Sequence, residues 1–182
     1  FGNTIRKIPN PDDVTNLRLI DKDSGEVFTF ETTDELSNFK YQRYLKRYLR
    51  TIASIDEGVG YLLDYLDEND LLENTLVIYT SDQGFFLGEH GWFDKRFIYE
   101  QSLQMPFLVR YPNEIAPGET CESICCNVDF APTFLDLASL KIPSYMQGNS
   151  LLPLFKGSEP DNWPQITYHR YWMHRDPDHN AY

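Results

Sequence analysis

The longest hydrophobic pattern in the chain has a helical period and follows a capping signal near residue 32. Thr32 and Glu35 fit a capping box, in which two side chains satisfy backbone amides at a helix start. Seven apolar side chains then follow a 3.6-residue period, which is typical of a helix with one buried face. The pattern predicts one helix from residue 32 to about residue 69, packed on a sheet through Leu49, Ile52, Ile55, Val59, Leu62, Leu63 and Leu66.

Shorter apolar runs predict strands that alternate with helices along the rest of the chain. Asp129 is expected to cap one of these helices, because it precedes Pro132 and a run of apolar residues. Such alternation predicts an α/β fold with a largely parallel or mixed sheet flanked by helices. The predicted strands are 26–30, 76–80, 105–111, 123–128 and 165–171, and the predicted short helices are 97–103, the segment after Asp129, and a turn ending near 155.

Composition and hydrophobic pattern divide the chain into three parts. Residues 1–31 are polar and irregular apart from one hairpin-like strand, so we interpret them as a peripheral insertion. Residues 32–160 carry the alternating pattern and form part of the main domain. Residues 161–182 begin a C-terminal segment that is dense in polar and aromatic groups.

Charge and length limit the functional classes. The 182 residues carry a formal net charge of −12, which argues against a surface that binds nucleic acid. An anionic small molecule would need local cations or a bound metal to reverse that field. No run approaches the ~18 apolar residues of a membrane-spanning helix. Because the chain begins at Phe1, we expect a piece of a longer protein, and the absence of a signal peptide leaves its compartment open.

The three cysteines are a poor match to a disulfide framework or a zinc site. They are an odd number and form no CxxC pair. We expect Cys121, Cys125 and Cys126 to be small buried residues in or near a strand.

The loop after the predicted strand 76–80 carries the candidate chemistry. Asp82 and Gln83 supply adjacent oxygen atoms, which suit a hard cation such as Ca²⁺ or Mg²⁺. Lys95 can bind an oxygen of an anionic group, and His90 can donate to a leaving oxygen or bind the anion. Each residue also has an ordinary structural interpretation: an Asx-turn at a strand end, a surface lysine, and a histidine that fixes a loop.

Several motifs in this order closely resemble the type I sulfatases of the alkaline phosphatase superfamily. The first is the run from Asn74 to Gly84, followed by Leu87-Gly88-Glu89-His90-Gly91 and Asp94-Lys95. Met105-Pro106-Phe107-Leu108-Val109-Arg110-Tyr111-Pro112 and the run from Asn127 to Ala138 continue the resemblance. It covers roughly residues 40–160 and ends with Gly148-Asn149-Ser150-Leu151-Leu152-Pro153-Leu154.

The resemblance implies an alkaline-phosphatase-like partial domain of a sulfuric ester hydrolase. Asp82 and Gln83 would be two ligands of Ca²⁺, with Mg²⁺ possible, Lys95 would contact the sulfate, and His90 would be an anion ligand or acid. The family's formylglycine nucleophile arises in a Cys/Ser-x-Pro/Ala-x-Arg motif, which this chain lacks. The resemblance therefore implies half a site, and a fragment that is inactive alone.

The end of the chain resembles a segment that supplies substrate contacts in some carbohydrate sulfatases. On that basis His174 and His179 are candidates for binding a saccharide sulfate ester, against the alternative of surface loop histidines. A simple aryl sulfate is an equally open substrate. Two rival functions also stay open: a phosphodiesterase or phosphonate hydrolase of the same superfamily, and a non-catalytic binding module that keeps the fold.

Overall fold

A 36-residue helix, α1 (Thr33–Glu68), is the longest element of the computed structural model, which describes residues 12–169. Six short strands lie before and after it along the described part of the chain. The strands are β1 (Leu19–Ile20), β2 (Val27–Phe28), β3 (Val77–Thr80), β4 (Phe86–Leu87), β5 (Phe93–Asp94) and β6 (Phe107–Arg110). The remaining α-helices are α2 (Glu100–Leu103), α3 (Phe130–Leu137) and α4 (Leu152–Phe155), and single 3-10 turns span Leu72–Asn74, Glu89–Gly91 and Asn127–Asp129.

Helix α1 confirms the long helix predicted from the apolar period. Thr32 Oγ1 accepts a hydrogen bond from the Glu35 amide at 3.2 Å, as the capping box predicts. The Glu35 carboxylate accepts instead from the Glu31 amide at 2.9 Å, one residue earlier than in the standard box. Among the described residues the predicted apolar stripe is largely uncovered, with Leu49 59% and Leu62 66% exposed.

The described residues form two compact units, and the first contains residues 12–65 and 85–95. Its core consists of Val14, Phe30 and Leu36, against which Phe28 and Phe39 pack. Strands β1 and β2 pair antiparallel over this core, which confirms the predicted hairpin strand in a shorter form.

A second small hairpin in the first unit joins β4 to β5, with Phe86 opposite Asp94. Phe86 is 1% exposed, and its carbonyl accepts a hydrogen bond from the Tyr44 hydroxyl at 3.3 Å. The Tyr44 ring also packs edge-on against Phe93, with ring centroids 4.8 Å apart. The segment predicted as one loop is therefore a short hairpin that rests on α1.

The second unit contains residues 66–84 and 96–169, and its central feature is the pair β3–β6. The pairing is antiparallel, with Ile78 opposite Val109, and every strand pair in the described part of the chain is antiparallel. The predicted largely parallel or mixed sheet is therefore not what these residues form among themselves. Parallel neighbours need a crossover connection of about a dozen residues or more, usually a helix. The connection 81–106 between β3 and β6 is long enough, but its α-helix, α2, has only four residues, and the rest consists of the β4–β5 hairpin and turns.

Two predicted strands are wrong over the residues described. Residues 123–128 pair with no strand, because the Cys126 amide donates at 2.7 Å to the Asp129 carboxylate and the chain turns into Asn127–Asp129. Asp129 does precede α3, but its side chain makes that bond instead of capping α3. Residues 165–169 form no strand, and the rest of that predicted strand lies outside the described residues.

The predicted short helices are confirmed at α2, α3 and α4. In the described part of the chain, every helix is too short or too polar to cross a membrane.

Candidate functional site

Asp82 and Gln83 lie immediately after β3, where the chain leaves the β3–β6 pair. The Gln83 side-chain amide donates from Nε2 to the Ser102 carbonyl at 2.9 Å, and the Gly84 amide donates to the same oxygen at 3.2 Å. Gly84 is buried, and a Cβ there would overlap the backbone of Gln101 and Ser102. The loop is therefore fixed to the start of the next segment by backbone contact that only glycine permits.

Both side chains line one cavity of about 520 Å³ inside the second unit. Opposite walls come from the turn before α3 and from the segment that follows Trp163. Trp163 is 7% exposed, and its indole Nε1 donates to the Ile124 carbonyl at 2.8 Å, which ties these two walls together. The polar and sulfur-bearing residues of the lining include Asp82, Gln83, Ser102, Met105, Cys125, Cys126, Asn127, Asp129, Gln147, Asn149, Thr167, Tyr168 and His169.

The donor chemistry of this cavity fits a hard cation only in part. The Asp82 carboxylate is exposed, and the Gln83 amide nitrogen is used by Ser102, which leaves its oxygen as the atom able to bind a cation. Ca²⁺ takes six to eight oxygen ligands. Within the described residues no group of three or more His, Cys, Asp or Glu side chains is arranged to hold a metal. Asp82 and Gln83 therefore offer two oxygen atoms to a cation, fewer than a Ca²⁺ site requires.

Asp129 braces the wall of the cavity. Its buried carboxylate accepts from the Cys126 amide at 2.7 Å on one oxygen and from the Asn149 amide at 2.8 Å on the other. Its carbonyl accepts from Thr133 Oγ1 at 2.6 Å, and that hydroxyl oxygen accepts from the Leu151 amide at 2.8 Å. One residue thus joins the start of α3 to the loop at 149–151.

Cys125 and Cys126 line this cavity, and none of the three cysteines lies in a strand. Cys125 is half-buried, and burial, followed by the nearby Asp129 carboxylate, raises the pKa of its thiol. Cys126 Sγ lies 2.9 Å from Thr167 Oγ1, and Cys121 is exposed. All three are free thiols, and the predicted burial is wrong, because Cys121 is exposed and Cys125 and Cys126 are only half-buried.

His90 and Lys95 belong to the first unit, on the β4–β5 hairpin. His90 is exposed and has a left-handed backbone (φ 57°), and its ring lies 5.9 Å from that of Trp92 between centroids. Lys95 is exposed directly after Asp94, a buried residue with φ 80°. These turns hold both side chains at the outer side of a hairpin whose Phe86 is buried.

The support for that hairpin includes Tyr44, whose hydroxyl binds the Phe86 carbonyl. Burial raises the pKa of Tyr44 to about 12, and the neighbouring Tyr48, Asp94 and Glu89 add to this shift. The phenol is thus held in its neutral, hydrogen-bonding form.

Sequence reasoning placed Asp82, Gln83, His90 and Lys95 in one loop, whereas the structure assigns them in pairs to two units. His174 and His179 lie outside the described residues. Asn149 and His169, which line the cavity with Asp82, were not predicted. Asn149 belongs to the motif 148–154, and His169 belongs to the C-terminal segment that resembles a substrate-contacting one, but neither residue was singled out as a candidate.

Comparison with known proteins identifies the family of this chain. The family described as N-sulphoglucosamine sulphohydrolase, C-terminal, matches residues 88–181. An N-acetylglucosamine-6-O-sulfatase of Bacteroides thetaiotaomicron is 51% identical over 139 residues, which are 75% of this chain and 25% of that protein. The chain thus spans about a quarter of the length of that relative.

Two solved structures are similar to this chain in both sequence and fold. The first is the structure of a protein in complex with its substrate, D-glucosamine-2-N,6-O-disulfate. Its TM-score is 0.75 and its sequence identity 49%, and the match covers 78% of this chain and 29% of that protein. A phosphonate monoester hydrolase from Silicibacter pomeroyi has a TM-score of 0.57 and 32% identity, covering 61% and 22%. The antiparallel pairs and helices described above are thus a fragment of the alkaline-phosphatase-like fold, and the chain belongs to the sulfatase family.

Proposed function

We propose that this chain is part of a carbohydrate sulfatase that hydrolyses sulfate esters of glucosamine-type saccharides. Two observations about relatives support the substrate class: the Bacteroides relative is an N-acetylglucosamine-6-O-sulfatase, and the solved relative holds a glucosamine disulfate. The observation that carries the proposal in this chain is the pair Asp82–Gln83. Both side chains line a cavity at the end of β3, with the Gln83 amide turned by Ser102 so that its oxygen is left for a cation.

In this proposal Asp82 and Gln83 hold Ca²⁺, with Mg²⁺ as the alternative. When bound, the cation would offset negative charge on the oxygens of the sulfuryl group. The fixed loop matters here, because Ser102 and the buried Gly84 keep Gln83 in place without help from the metal. The remaining ligands and the nucleophile, a formylglycine by family resemblance, come from outside these 182 residues.

Lys95 and His90 take separate roles in the same proposal. The Lys95 ammonium binds a sulfuryl oxygen and stabilises its charge as the sulfur is attacked. As the S–O bond to the saccharide breaks, His90 donates a proton to the departing oxygen or binds the anion. In the same proposal His174 and His179 contact the saccharide. The polar walls of the cavity, including Asn149, suit a hydroxyl-rich ligand.

Substitution of Lys95 tests the proposal in the complete enzyme. Lys95→Ala is expected to lower kcat by about 10²–10³-fold, the usual effect of removing one donor to a developing charge. Lys141→Ala is a matched control, because Lys141 is an exposed lysine in the second unit and lines no part of the cavity. A Lys95→Ala enzyme with near-normal turnover on a glucosamine 6-sulfate would refute the role of Lys95.

Metal binding gives an independent test. Asp82→Ala is expected to weaken Ca²⁺ binding by at least tenfold in calorimetry, because a carboxylate ligand is lost. Asp161→Ala, which alters an exposed aspartate outside the cavity lining, serves as the control. Equal Ca²⁺ affinity in both variants would remove Asp82 from the ligand set.

A second candidate is hydrolysis of phosphonate monoesters, favoured by the structural likeness to the Silicibacter pomeroyi enzyme. Turnover of a phosphonate monoester that exceeds turnover of a glucosamine 6-sulfate would favour this candidate. Ca²⁺ binding without hydrolysis of either ester would favour a non-catalytic binding module.

A further inference from the structure

Three carboxamide side chains, those of Asn127, Gln147 and Asn149, line the same cavity of the second unit as Asp82 and Gln83. All three are exposed, and none of them makes a side-chain hydrogen bond to a residue that the structure describes. A carboxamide in this state can offer two N–H donors and an oxygen acceptor to a ligand. The cavity therefore holds hydrogen-bonding capacity that the fold itself does not use.

The backbone that carries these side chains is held in place. Gly148 packs directly on the turn 127–129, where a Cβ on the glycine would overlap the backbone. The Asp129 carboxylate accepts from the Cys126 amide before the turn and from the Asn149 amide after the glycine. The turn and the loop around Gly148 are thus joined, and the three carboxamides lie on one wall. Because the backbone is already fixed, a ligand has to order only side chains.

The rest of the described lining suits an uncharged polar ring. Val128 and Ile166 line the cavity and are 53% and 85% exposed, which leaves apolar surface beside the carboxamides for the C–H groups of such a ring. The described residues of the lining include no lysine or arginine, whereas Asp82 and Asp129 are acidic. A second oxyanion, away from a bound cation, would be repelled there, and a neutral hydroxyl group would not.

We propose that Asn127, Gln147 and Asn149 are specificity-determining residues that bind uncharged hydroxyl groups of the saccharide that carries the sulfate. The choice of a saccharide sulfate rests on the proposed function, and the inference adds the residues that separate it from an aryl sulfate. A hydroxyl group both donates and accepts, which a carboxamide matches. A simple aryl ring lacks these groups, so it forfeits the hydrogen bonds that the saccharide gains.

The test compares two double variants of the complete enzyme, matched in residue type and confined to the second unit. Asn127→Ala/Gln147→Ala removes one asparagine and one glutamine side chain from the cavity. Gln104→Ala/Asn162→Ala removes one of each from exposed positions outside the lining. The substrates are N-acetylglucosamine 6-sulfate and nitrophenyl sulfate, an aryl sulfate without sugar hydroxyls. The ratio of their kcat/KM values, saccharide over aryl, is expected to fall about tenfold in the cavity variant and less than about twofold in the control.

An unchanged ratio in the cavity variant, or an equal fall in the control, would overturn the proposal. Asn149→Ala, with Asn162→Ala as its control, repeats the comparison in case the double variant fails to fold.

Calorimetry with unsulfated N-acetylglucosamine measures the same contacts without turnover. We expect the unaltered protein and the control to bind this sugar with affinities within about twofold, and the cavity variant to bind it about tenfold more weakly. Because the contacts are uncharged, the affinity should change less than about twofold between about 0.05 M and 0.5 M salt. Absence of binding by the unaltered protein, or a steep loss of affinity with salt, would overturn the role of the carboxamides.

The two measurements separate this inference from the proposed function. If neither sulfate ester is hydrolysed, the proposed function fails, yet calorimetry still decides whether the carboxamides bind the sugar. If both esters are hydrolysed and the ratio is the same in every variant, the proposed function stands and this inference fails.

Discussion

Replacement of Asp129 by asparagine probes the brace of the candidate cavity with a change of one atom. The carboxylate has two oxygens, and each accepts one backbone amide, from Cys126 at 2.7 Å and from Asn149 at 2.8 Å. Asparagine offers one oxygen and one NH₂ group. Whichever way the new side chain turns, one of the two amides faces a donor, and the site is 6% exposed, so water has little access to replace the bond.

The magnitude follows from that lost acceptor. A buried donor left without a partner costs about 1–3 kcal/mol, which corresponds to roughly a 5- to 150-fold change in an opening equilibrium. Native-state hydrogen exchange reads this locally, since it reports how often each amide opens. We expect the amide of Cys126 or Asn149 to exchange faster by that factor in Asp129→Asn.

Asp136→Asn, on the helix α3 that follows Asp129, is the matched control. Asp136 accepts from the Ser150 hydroxyl at 2.6 Å, and a hydroxyl can rotate to suit the amide that replaces the carboxylate. Its effect should stay below about 1 kcal/mol. Unchanged exchange at both amides in Asp129→Asn, or an equally large effect of Asp136→Asn, would refute the reasoning.

Three further predictions concern single residues. Gly148→Ala should prevent correct folding, because a Cβ there would overlap the backbone just before α3. Gly58→Ala, in the open middle of α1, should instead raise the free energy of unfolding by about 0.5–1 kcal/mol. The denaturant midpoints of the two variants are compared. The raised pKa of Tyr44, about 12 against 10.0, means that stability from its neutral form is complete below pH 10 and is lost as the pH rises toward 12. A Tyr44→Phe variant should show a smaller fall of unfolding free energy over that range, and an identical fall would contradict this. Cys125, whose pKa is raised by burial, should alkylate more slowly than exposed Cys121 in variants that keep one thiol each, and equal rates measured by mass spectrometry would be contrary evidence.

The elements that could be predicted from the sequence are those encoded by a long local pattern. Helix α1 follows from its apolar period and Thr32, and β3 and β6 follow from short runs of β-branched and aromatic residues. What could not be predicted is strand direction, because an apolar run has the same pattern in either direction. The false strand at 123–128 arose in the same way: its apolar residues are real, but the bond from the Cys126 amide to Asp129 turns the chain.

The candidate site was also predicted only in part from the sequence. Asp82 and Gln83 were predicted because they follow a strand, and that placement is confirmed, while their role as metal ligands stays a prediction. The cavity around them depends on contacts between residues about 20 to 85 positions apart, such as Gln83 with Ser102. No local pattern encodes such contacts. The roles of His90 and Lys95 stay predictions as well.

The apolar stripe of α1 has a practical consequence for anyone who produces this chain by itself. Leu49, Ile52, Ile55 and Leu62 are between 37% and 66% exposed, and Tyr61 and Tyr65 add to the same helix. A continuous apolar surface of this kind is a site for self-association when nothing covers it. Separately expressed material should therefore form concentration-dependent oligomers in light scattering, and charged substitutions along the stripe are the rational first step in designing a version for purification.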